Sequence, residues 1–322
     1  MAVNTAAARL AVAAINQYEK EVRDSISDYF QEVEYLRENG RIKLNSAGPS
    51  IEWPVIVQRG TVEQFSREAR TDFTPTNPGV RLVLSNKGYK TADLIHQTDI
   101  WEAAGPQQII DLMENRMQWM PEAIQRALAF HFYGDGTDTT YGSNPIIGLA
   151  GGVKTSGTYG GQDVATETAL QGQVLSGAPH NAFSTDPLAS ITSAILSTER
   201  GTNAGAENMY PDAIWLSYTN WAQVANAIEA KRRIVESGDS EKTGKKGTLT
   251  HMGVRIYRTR FLSSGTMWVT NSKFLDLRSP CPKLLMPYKQ EIPSPWAIGM
   301  MIIFYGLMRV IVPRAHAKVT IA

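Results

Sequence analysis

The stretch GPQQIIDLMENRMQWMPEAIQRALAFHFYGDG, residues 105–136, decides the fold class of this chain. Its proline at 106 suits the first position of a helix, and the glycines at 134 and 136 end the helical pattern. Apolar residues recur along it at spacings of three or four: Ile109, Met113, Met117, Met120, Ile124 and Leu128. This period predicts one amphipathic helix over 107–133, a rod of roughly 40 Å. Pro121 lacks the N–H of an interior helical residue, so we expect the helix to be bent or split there.

Strands and a polar excursion precede this helix. Segments 51–57, 80–84 and 91–98 have the composition of strands. Between the first two, residues 60–79 are mostly polar and bury little apolar surface of their own, so we expect them to project outward. The first forty residues carry an apolar stripe at helical spacing and predict one or two amphipathic helices that end at Gly40.

A Gly-rich loop and a second group of elements follow the long helix. Residues 134–177 are rich in Gly, Thr, Ser and Asp and predict a loop with short extended segments. A compact α/β lobe is then predicted from a helix after Pro187, a strand at 213–217, a helix at 221–232, and strands at 254–258 and 267–270. Extended runs at 283–286, 298–305 and 307–312 are rich in β-branched and aromatic residues and should pair near the long helix. The fold class is therefore α+β.

Charge and cysteine content exclude several classes of protein. The 32 Lys and Arg residues nearly balance the 31 Asp and Glu residues, which argues against a protein that grips nucleic acid across one whole face. The single cysteine, Cys281, cannot form an intrachain disulfide or a multi-thiolate metal site. The longest apolar run, 298–305, is too short to span a bilayer as a helix, and we expect a soluble protein.

The motifs of common enzymes and metal proteins are missing from the sequence. Residues 238–246 resemble a phosphate-binding loop, but the glycine spacing is wrong and Gly247 stands where Ser or Thr is required. The loop at Asp135 and Asp138 lacks the alternating ligands and the closing Glu of a calcium site. The five histidines are far apart in sequence. We predict no catalytic, cofactor or metal site, although a dispersed catalytic set stays open.

The order of these elements resembles that of tailed-bacteriophage major capsid proteins. Three features carry the resemblance: the excursion 53–99, the helix 107–133 running into Gly134-Asp135-Gly136, and the turn Asn144-Pro-Ile-Ile-Gly-Leu149. The resemblance covers nearly the whole chain, although its motifs are loose patterns. It implies an N-terminal arm at 1–50, an extended β-hairpin loop at 51–99, a peripheral domain at 100–185 and 280–322 with its spine helix at 107–133, and an α/β axial domain at 186–279.

The resemblance also implies a function. The chain would be a non-enzymatic major capsid protein that self-assembles into hexamers and pentamers of an icosahedral shell around phage double-stranded DNA. Contacts between subunits would come from the tip of the extended loop: Arg59, Arg67, Glu68, Arg70 and Asp72. Further partners would be a separate scaffolding protein, portal and decoration proteins, and packaged DNA contacted without sequence specificity. No membrane is implied; assembly would occur in the host cytoplasm and the product would be the virion capsid.

Two other functions remain open at this point. An encapsulin-like nanocompartment shell has the same architecture but encloses a cargo enzyme. A soluble α/β enzyme would need a dispersed site, with His131 or His180 beside a carboxylate in a deep pocket. Particle contents separate the first alternative from a phage capsid, and a monomer with a polar pocket would favour the second.

Overall fold

A computed structural model describes residues 30–56, 79–96, 98, 106–201, 210–232, 249–292 and 297–321. Most of the predicted N-terminal arm and the tip of the extended loop lie outside these residues. The polar Lys-rich segment 237–247 and most of the glycine-rich segment 201–205 also lie outside them.

The described elements alternate between helices and strands along the chain. The helices are α1 (Gln31–Glu38), α2 (Pro106–Phe132), α3 (Leu149–Gly152), α4 (Pro187–Gly201) and α5 (Tyr218–Arg232). The strands before α4 are β1 (Ile42–Lys43), β2 (Ser50–Ile56), β3 (Gly79–Ser85), β4 (Lys87–His96), β5 (Thr158–Tyr159), β6 (Gln162–Asp163) and β7 (Gln173–Leu175). Those after α4 are β8 (Ala213–Ser217), β9 (Leu249–His251), β10 (Val254–Thr259), β11 (Thr266–Thr270), β12 (Leu275–Arg278), β13 (Met286–Ile292), β14 (Ala297–Val310) and β15 (Ala317–Thr320). This mixture confirms the predicted α+β class.

The long helix α2 agrees with its prediction to within one residue at each end. Side chains are described from Trp119 onward, and Met120, Ile124 and Leu128 of the predicted stripe are buried. The helix continues through Pro121, so it is not split there, and the alternative of a bend at this residue stays a prediction. The proline removes a single N–H, and the hydrogen bonds on both sides keep a helix of 27 residues continuous.

The chain divides into two compact units. The first comprises residues up to 49, 86–148 and 276–308, and the second comprises 50–85, 149–275 and 309–322. The finer division into arm, extended loop, peripheral domain and axial domain stays a prediction.

A five-stranded sheet around β14 forms the framework of the first unit. Its order is β1-β12-β14-β13, and β4 also pairs with β14, antiparallel, over ten residues. Met300, Ile302 and Phe304 alternate as buried residues along β14, the pattern of a strand with one covered face. Helix α2 packs against β4, and β4 pairs with the late strand β14. The prediction that the late strands lie near the long helix is therefore confirmed.

Strand β14 is one continuous element where the sequence predicted two strands that meet at Gly306. A Cβ at Gly306 would lie 2.3 Å from the carbonyl oxygen of Arg278, at the end of β12. Glycine therefore allows the two strands to approach closely instead of ending the strand. Strand β13 begins at Met286, three residues after the start of the run predicted at 283–286.

The second unit is built on a six-stranded sheet of order β7-β15-β11-β8-β10-β9. Helices α4 and α5 contribute to its hydrophobic core, in which Ile191, Leu216 and Ile256 are almost fully buried. The predicted order of helix, strand and helix is confirmed, with β8 at its predicted bounds. Helix α5 begins three residues earlier than predicted, at Tyr218, because the hydroxyl of Ser217 accepts a hydrogen bond from the Asn220 N–H at 3.3 Å.

Two glycines in the sheet of the first unit provide a matched stability test. Gly306→Ala should lower the free energy of unfolding by about 1–3 kcal/mol, because the added methyl group meets a backbone carbonyl that cannot move without shifting β12. Gly88→Ala is the control, since its Cβ would approach no atom closer than 3.4 Å. Urea denaturation of the unassembled subunit measures both variants, and equal stability would contradict the proposed close approach.

Candidate assembly surfaces

The residues predicted to contact a neighbouring subunit all fall between β2 and β3. Arg59, Arg67, Glu68, Arg70 and Asp72 lie outside the described residues, so their role stays a prediction. The structure does describe the base of the hairpin that carries them. Strands β2 and β3 pair antiparallel from Ser50 opposite Ser85 to Ile56 opposite Gly79. The predicted contact residues therefore continue directly from a paired hairpin.

One face of the hairpin base is held by the turn between β5 and β6. The N–H of Val83 donates to the carbonyl oxygen of Gly160 at 3.0 Å. The rings of Trp53 and Tyr159 meet edge to face at 6.2 Å. Gly160 has a φ of +57°, and a Cβ there would lie 2.9 Å from the Cβ of Leu82, so only glycine fits without strain. The base is thus anchored by its own chain before residues 57–78 begin.

A tyrosine and an arginine complete this anchor. The Tyr159 hydroxyl accepts a hydrogen bond from the Val310 N–H at 2.9 Å and lies 3.2 Å from the carbonyl oxygen of the same residue. The buried guanidinium of Arg309 lies 5.3 Å from the centre of the Trp53 ring, within the range of a cation–π contact. The sequence reading treated residues around Gly160-Gly161 as an ordinary loop and missed this site. The paired glycines are the only local signal of the close approach.

The opposite face of the hairpin base is accessible. Arg81 and Glu52 form an exposed ion pair at 3.8 Å, which contributes little to stability. Val83 lies on the same face, and Ile56, at the last described pair of the hairpin, is 73% exposed. This face offers both charge and apolar area for contact with another molecule.

A second accessible surface lies on the sheet of the first unit. Tyr288, Met301 and Ala92 stand opposite one another on β13, β14 and β4, so their side chains share one face. Tyr288 is 57% exposed, and Met286 and Tyr305 are also exposed. A shallow cleft of about 380 Å³ runs between these strands. Clusters of exposed apolar side chains of this kind often mark a contact with another protein.

The end of α2 is packed against the turn 144–149. The ring of His131 stacks on Tyr89 of β4 at 5.6 Å, and the Tyr89 hydroxyl accepts a hydrogen bond from the Ile146 N–H at 2.9 Å. A Cβ at Gly148 would lie 2.0 Å from the carbonyl oxygen of His131. The glycine of this turn is therefore required where the turn touches the end of the helix.

His131 is a buried histidine in an aromatic environment. Its side chain is 1% exposed, and neither ring nitrogen has a hydrogen-bond partner among the described residues. Burial lowers the pKa of His131 below 6.5, and the nearby charge of Asp138 opposes this shift. Burial also raises the pKa of Tyr89 to about 12, against the effect of its hydrogen bond from Ile146. Both rings are accordingly neutral near pH 7.

The described histidines and carboxylates do not form a metal-binding cluster. No group of three His, Cys, Asp or Glu side chains in the described part of the chain could hold a metal ion. His180 bonds to the Ser190 hydroxyl at 2.8 Å, and burial lowers the pKa of His316 to about 4. Asp135 and Asp138 each accept hydrogen bonds from a threonine two residues later. No described helix is long and apolar enough to cross a membrane.

Solved structures of phage and GTA capsids have a similar fold. A chain of the cyanophage A-1(L) capsid asymmetric unit matches with a TM-score of 0.66 over 86% of this chain and 89% of its own length, at 14% sequence identity. The capsid of a native GTA particle matches with a TM-score of 0.60 over 89% of both chains, at 13% identity. The capsid of Myoviridae phage XM1 matches with a TM-score of 0.58 over 89% of this chain and 92% of that chain, also at 13% identity.

The chain has the fold of these phage capsid chains. This finding confirms the fold that the sequence resemblance implied. No protein-family model matches the chain, and no curated protein sequence matches it. The likeness is thus visible in three dimensions at identities where the sequences have little in common.

The free energy of unfolding of the subunit should depend on pH because His131 takes up a proton when the chain unfolds. The unfolded chain takes up a proton near pH 6.5, whereas the folded imidazole resists protonation, so stability is complete above that pH and falls as the pH drops towards the lowered folded pKa. His131→Phe keeps the stacked ring and removes this proton, so its unfolding free energy should fall less steeply below pH 6.5, by up to about 1.4 kcal/mol per pH unit.

Thermal unfolding at pH 7.5 and pH 5 measures this difference. His180 and His316, whose pKa values are also lowered by burial, remain in both proteins and leave a residual pH dependence. His96→Phe, at an exposed position of β4, is the matched control. If stability falls equally with pH in the wild type and in His131→Phe, protonation of the buried His131 ring does not contribute to the pH dependence of stability.

Proposed function

We propose that this protein is a major capsid protein whose copies assemble into hexamers and pentamers of an icosahedral shell around phage double-stranded DNA. The observation that carries the proposal is the extent of the likeness, which includes 86–89% of this chain and 89–92% of three phage or GTA capsid chains. The likeness therefore concerns whole subunits and not one shared motif. A structural, non-enzymatic role also agrees with the buried histidines, whose contacts are with rings, hydroxyls and backbone groups.

The accessible surfaces suit a subunit that makes several modest contacts. A closed shell gains its stability from many linked interactions, so no single interface has to be strong. The outer face of the hairpin base supplies Ile56, Val83 and the Arg81–Glu52 pair. The open face of the sheet in the first unit supplies Tyr288 and its neighbours. We propose that both faces are covered by neighbouring copies in the shell.

The tip of the hairpin is proposed to lie over a neighbouring subunit. Arg59, Arg67, Glu68, Arg70 and Asp72 would form charge-assisted hydrogen bonds there, each contributing about 1.5–3 kcal/mol. The anchor at Tyr159 and Gly160 supports this role, because a fixed base limits the directions in which the tip can extend. Scaffolding, portal and decoration proteins are further proposed partners, with assembly in the host cytoplasm.

Removing the tip tests the proposal. Ile56 and Gly79 are directly paired, so residues 57–78 can be replaced by Asn-Gly, which closes an antiparallel pair in a two-residue turn. The variant should unfold at the wild-type temperature, because the anchored base is intact, but should form no closed particles in negative-stain electron microscopy.

A Gly-Ser linker of the same length as residues 57–78 provides the matched control. It keeps the reach of the loop and removes its side chains, so it should also fail to assemble if those side chains make the contacts. Closed particles of normal size from the two-residue variant would rule out the role assigned to the loop.

The contents of the particles distinguish a phage capsid from a nanocompartment shell. Particles purified from infected or expressing cells should contain nuclease-protected double-stranded DNA, or a separate scaffolding protein before packaging. Absorbance spectra and mass spectrometry of the purified particles measure both. A co-purifying enzyme held inside nucleic-acid-free particles would instead favour the nanocompartment.

A further inference from the structure

An arginine in the second unit lies against two aromatic rings at the end of β10. The Cζ of Arg258 is 5.6 Å from the ring centre of Tyr218 and 5.1 Å from that of Trp221. Tyr218 is 53% exposed, and Arg260, two residues further along the chain, is exposed as well. We call Tyr218, Trp221, Arg258 and Arg260 the arginine–aromatic cluster. It takes no part in the assembly surfaces described above.

The stacked guanidinium keeps its hydrogen-bonding capacity. Contact with an aromatic ring uses the flat faces of the group, whereas its N–H donors point outward in the plane. Arg258 forms no ion pair with a carboxylate among the described residues. The two rings support the guanidinium, and its donors remain available to an anion. A planar fork of this kind binds phosphate oxygens in a bidentate manner.

The local charge favours an anionic ligand. Residues 213–228 and 249–275, which include the cluster and the strands beneath it, contain Arg255, Arg258, Arg260 and Lys273 but no Asp or Glu. The whole chain is almost neutral, at a formal charge of +1. Lys273 follows the end of β11, which is antiparallel to β8, and Arg255 is paired with Ala213 at the start of β8. Arg258 and Arg260 are therefore the positive charges of these ranges at the carboxyl ends of β8 and β10, where they attract polyanions locally. Asp212, Glu229 and Asp276 stand just outside the two ranges.

The position of the cluster in the sheet also favours a ligand. Strands β8 and β10 are parallel, and their last pair is Ser217 opposite Thr259. The cluster lies at the carboxyl ends of these strands, where α5 begins. In α/β sheets this edge is the usual place for ligands, and the N-terminus of a helix adds a positive electrostatic contribution.

We propose that the arginine–aromatic cluster binds the phosphodiester backbone of nucleic acid without sequence preference. This inference rests on the proposed function, since a capsid subunit would meet packaged nucleic acid at high local concentration. Arg258 and Arg260 bind phosphate oxygens, and the exposed ring of Tyr218 contacts sugar or base. The exposed ring favours nucleic acid over an acidic protein segment, because stacking on a flat aromatic surface is typical of nucleic-acid contacts.

Binding of fluorescent oligonucleotides to the unassembled full-length protein tests the proposal. Anisotropy is measured with single-stranded and double-stranded mixed-sequence oligonucleotides over a series of salt concentrations. Arg258→Gln should weaken binding about tenfold. It should also reduce the slope of log affinity against log salt by about 0.9 for duplex DNA, the value for one lost phosphate contact. Tyr218→Ala should weaken single-stranded binding more than duplex binding and leave the slope unchanged.

Two further variants separate the site from charge and folding effects. Arg255 lies three residues before Arg258 on the same strand but on the opposite sheet face, so Arg255→Gln removes an equal charge and should leave affinity within about twofold. Arg258→Lys keeps the charge but loses the planar stack, so it should keep the salt slope and still bind more weakly. Thermal unfolding of each variant verifies that the second unit is folded.

The outcomes separate this inference from the proposed function. Equal losses for Arg255→Gln and Arg258→Gln, or no loss for either, would overturn the cluster as a site. So would poly-glutamate binding that Arg258→Gln abolishes, in a protein that binds no oligonucleotide, because this result would identify an acidic protein segment as the occupant. Closed particles from Arg258→Gln with unchanged oligonucleotide affinity would overturn this inference alone. A wild-type protein that forms no particles, yet loses oligonucleotide affinity on Arg258→Gln, would keep the site and reject the capsid.

Discussion

The contact between the hairpin base and the Tyr159–Gly160 turn is the constraint on which the proposed assembly depends. Leu82 and Gly160 approach so closely that a single additional methyl group would separate them. Around this point, a backbone hydrogen bond, an edge-to-face ring pair and a buried arginine hold Trp53 and Val83 in place. A contact made by an extended loop stabilises the position of its own subunit only if the base of that loop is fixed. The chain thus provides its own support for a loop proposed to act on another copy.

Much of the fold was predictable because it is encoded in local periodicity. The helix α2 and the strand β8 were located to within a residue, since burial on one or both sides leaves a direct pattern in the sequence. Contacts between distant segments leave no such pattern. The continuity of β14 through Gly306 depends on the backbone of Arg278, and the start of α5 depends on the hydroxyl of Ser217. Neither could be read from the surrounding residues alone.

The hairpin that carries the proposed contact residues was predictable in position, but its anchor was not. A polar excursion between two strands indicated a hairpin, and the pairing of β2 with β3 confirms one. The anchor of that hairpin, at Tyr159 and Arg309, comes from segments more than seventy residues away in the chain. The phage capsid chains preserve the same fold at 13–14% identity. Such a fold therefore tolerates wide substitution of its residues.

The position of β15 in the second unit has a consequence for synthesis. Strand β7 joins its sheet through β15, which also pairs with β11, so the early strand waits for one made much later. Ribosomes take on the order of ten seconds to cover the intervening chain. During that interval the strand that pairs with β7 in the folded protein has not been made, so the six-stranded sheet is incomplete. The second unit of a nascent subunit can therefore finish folding only after translation has passed Thr320.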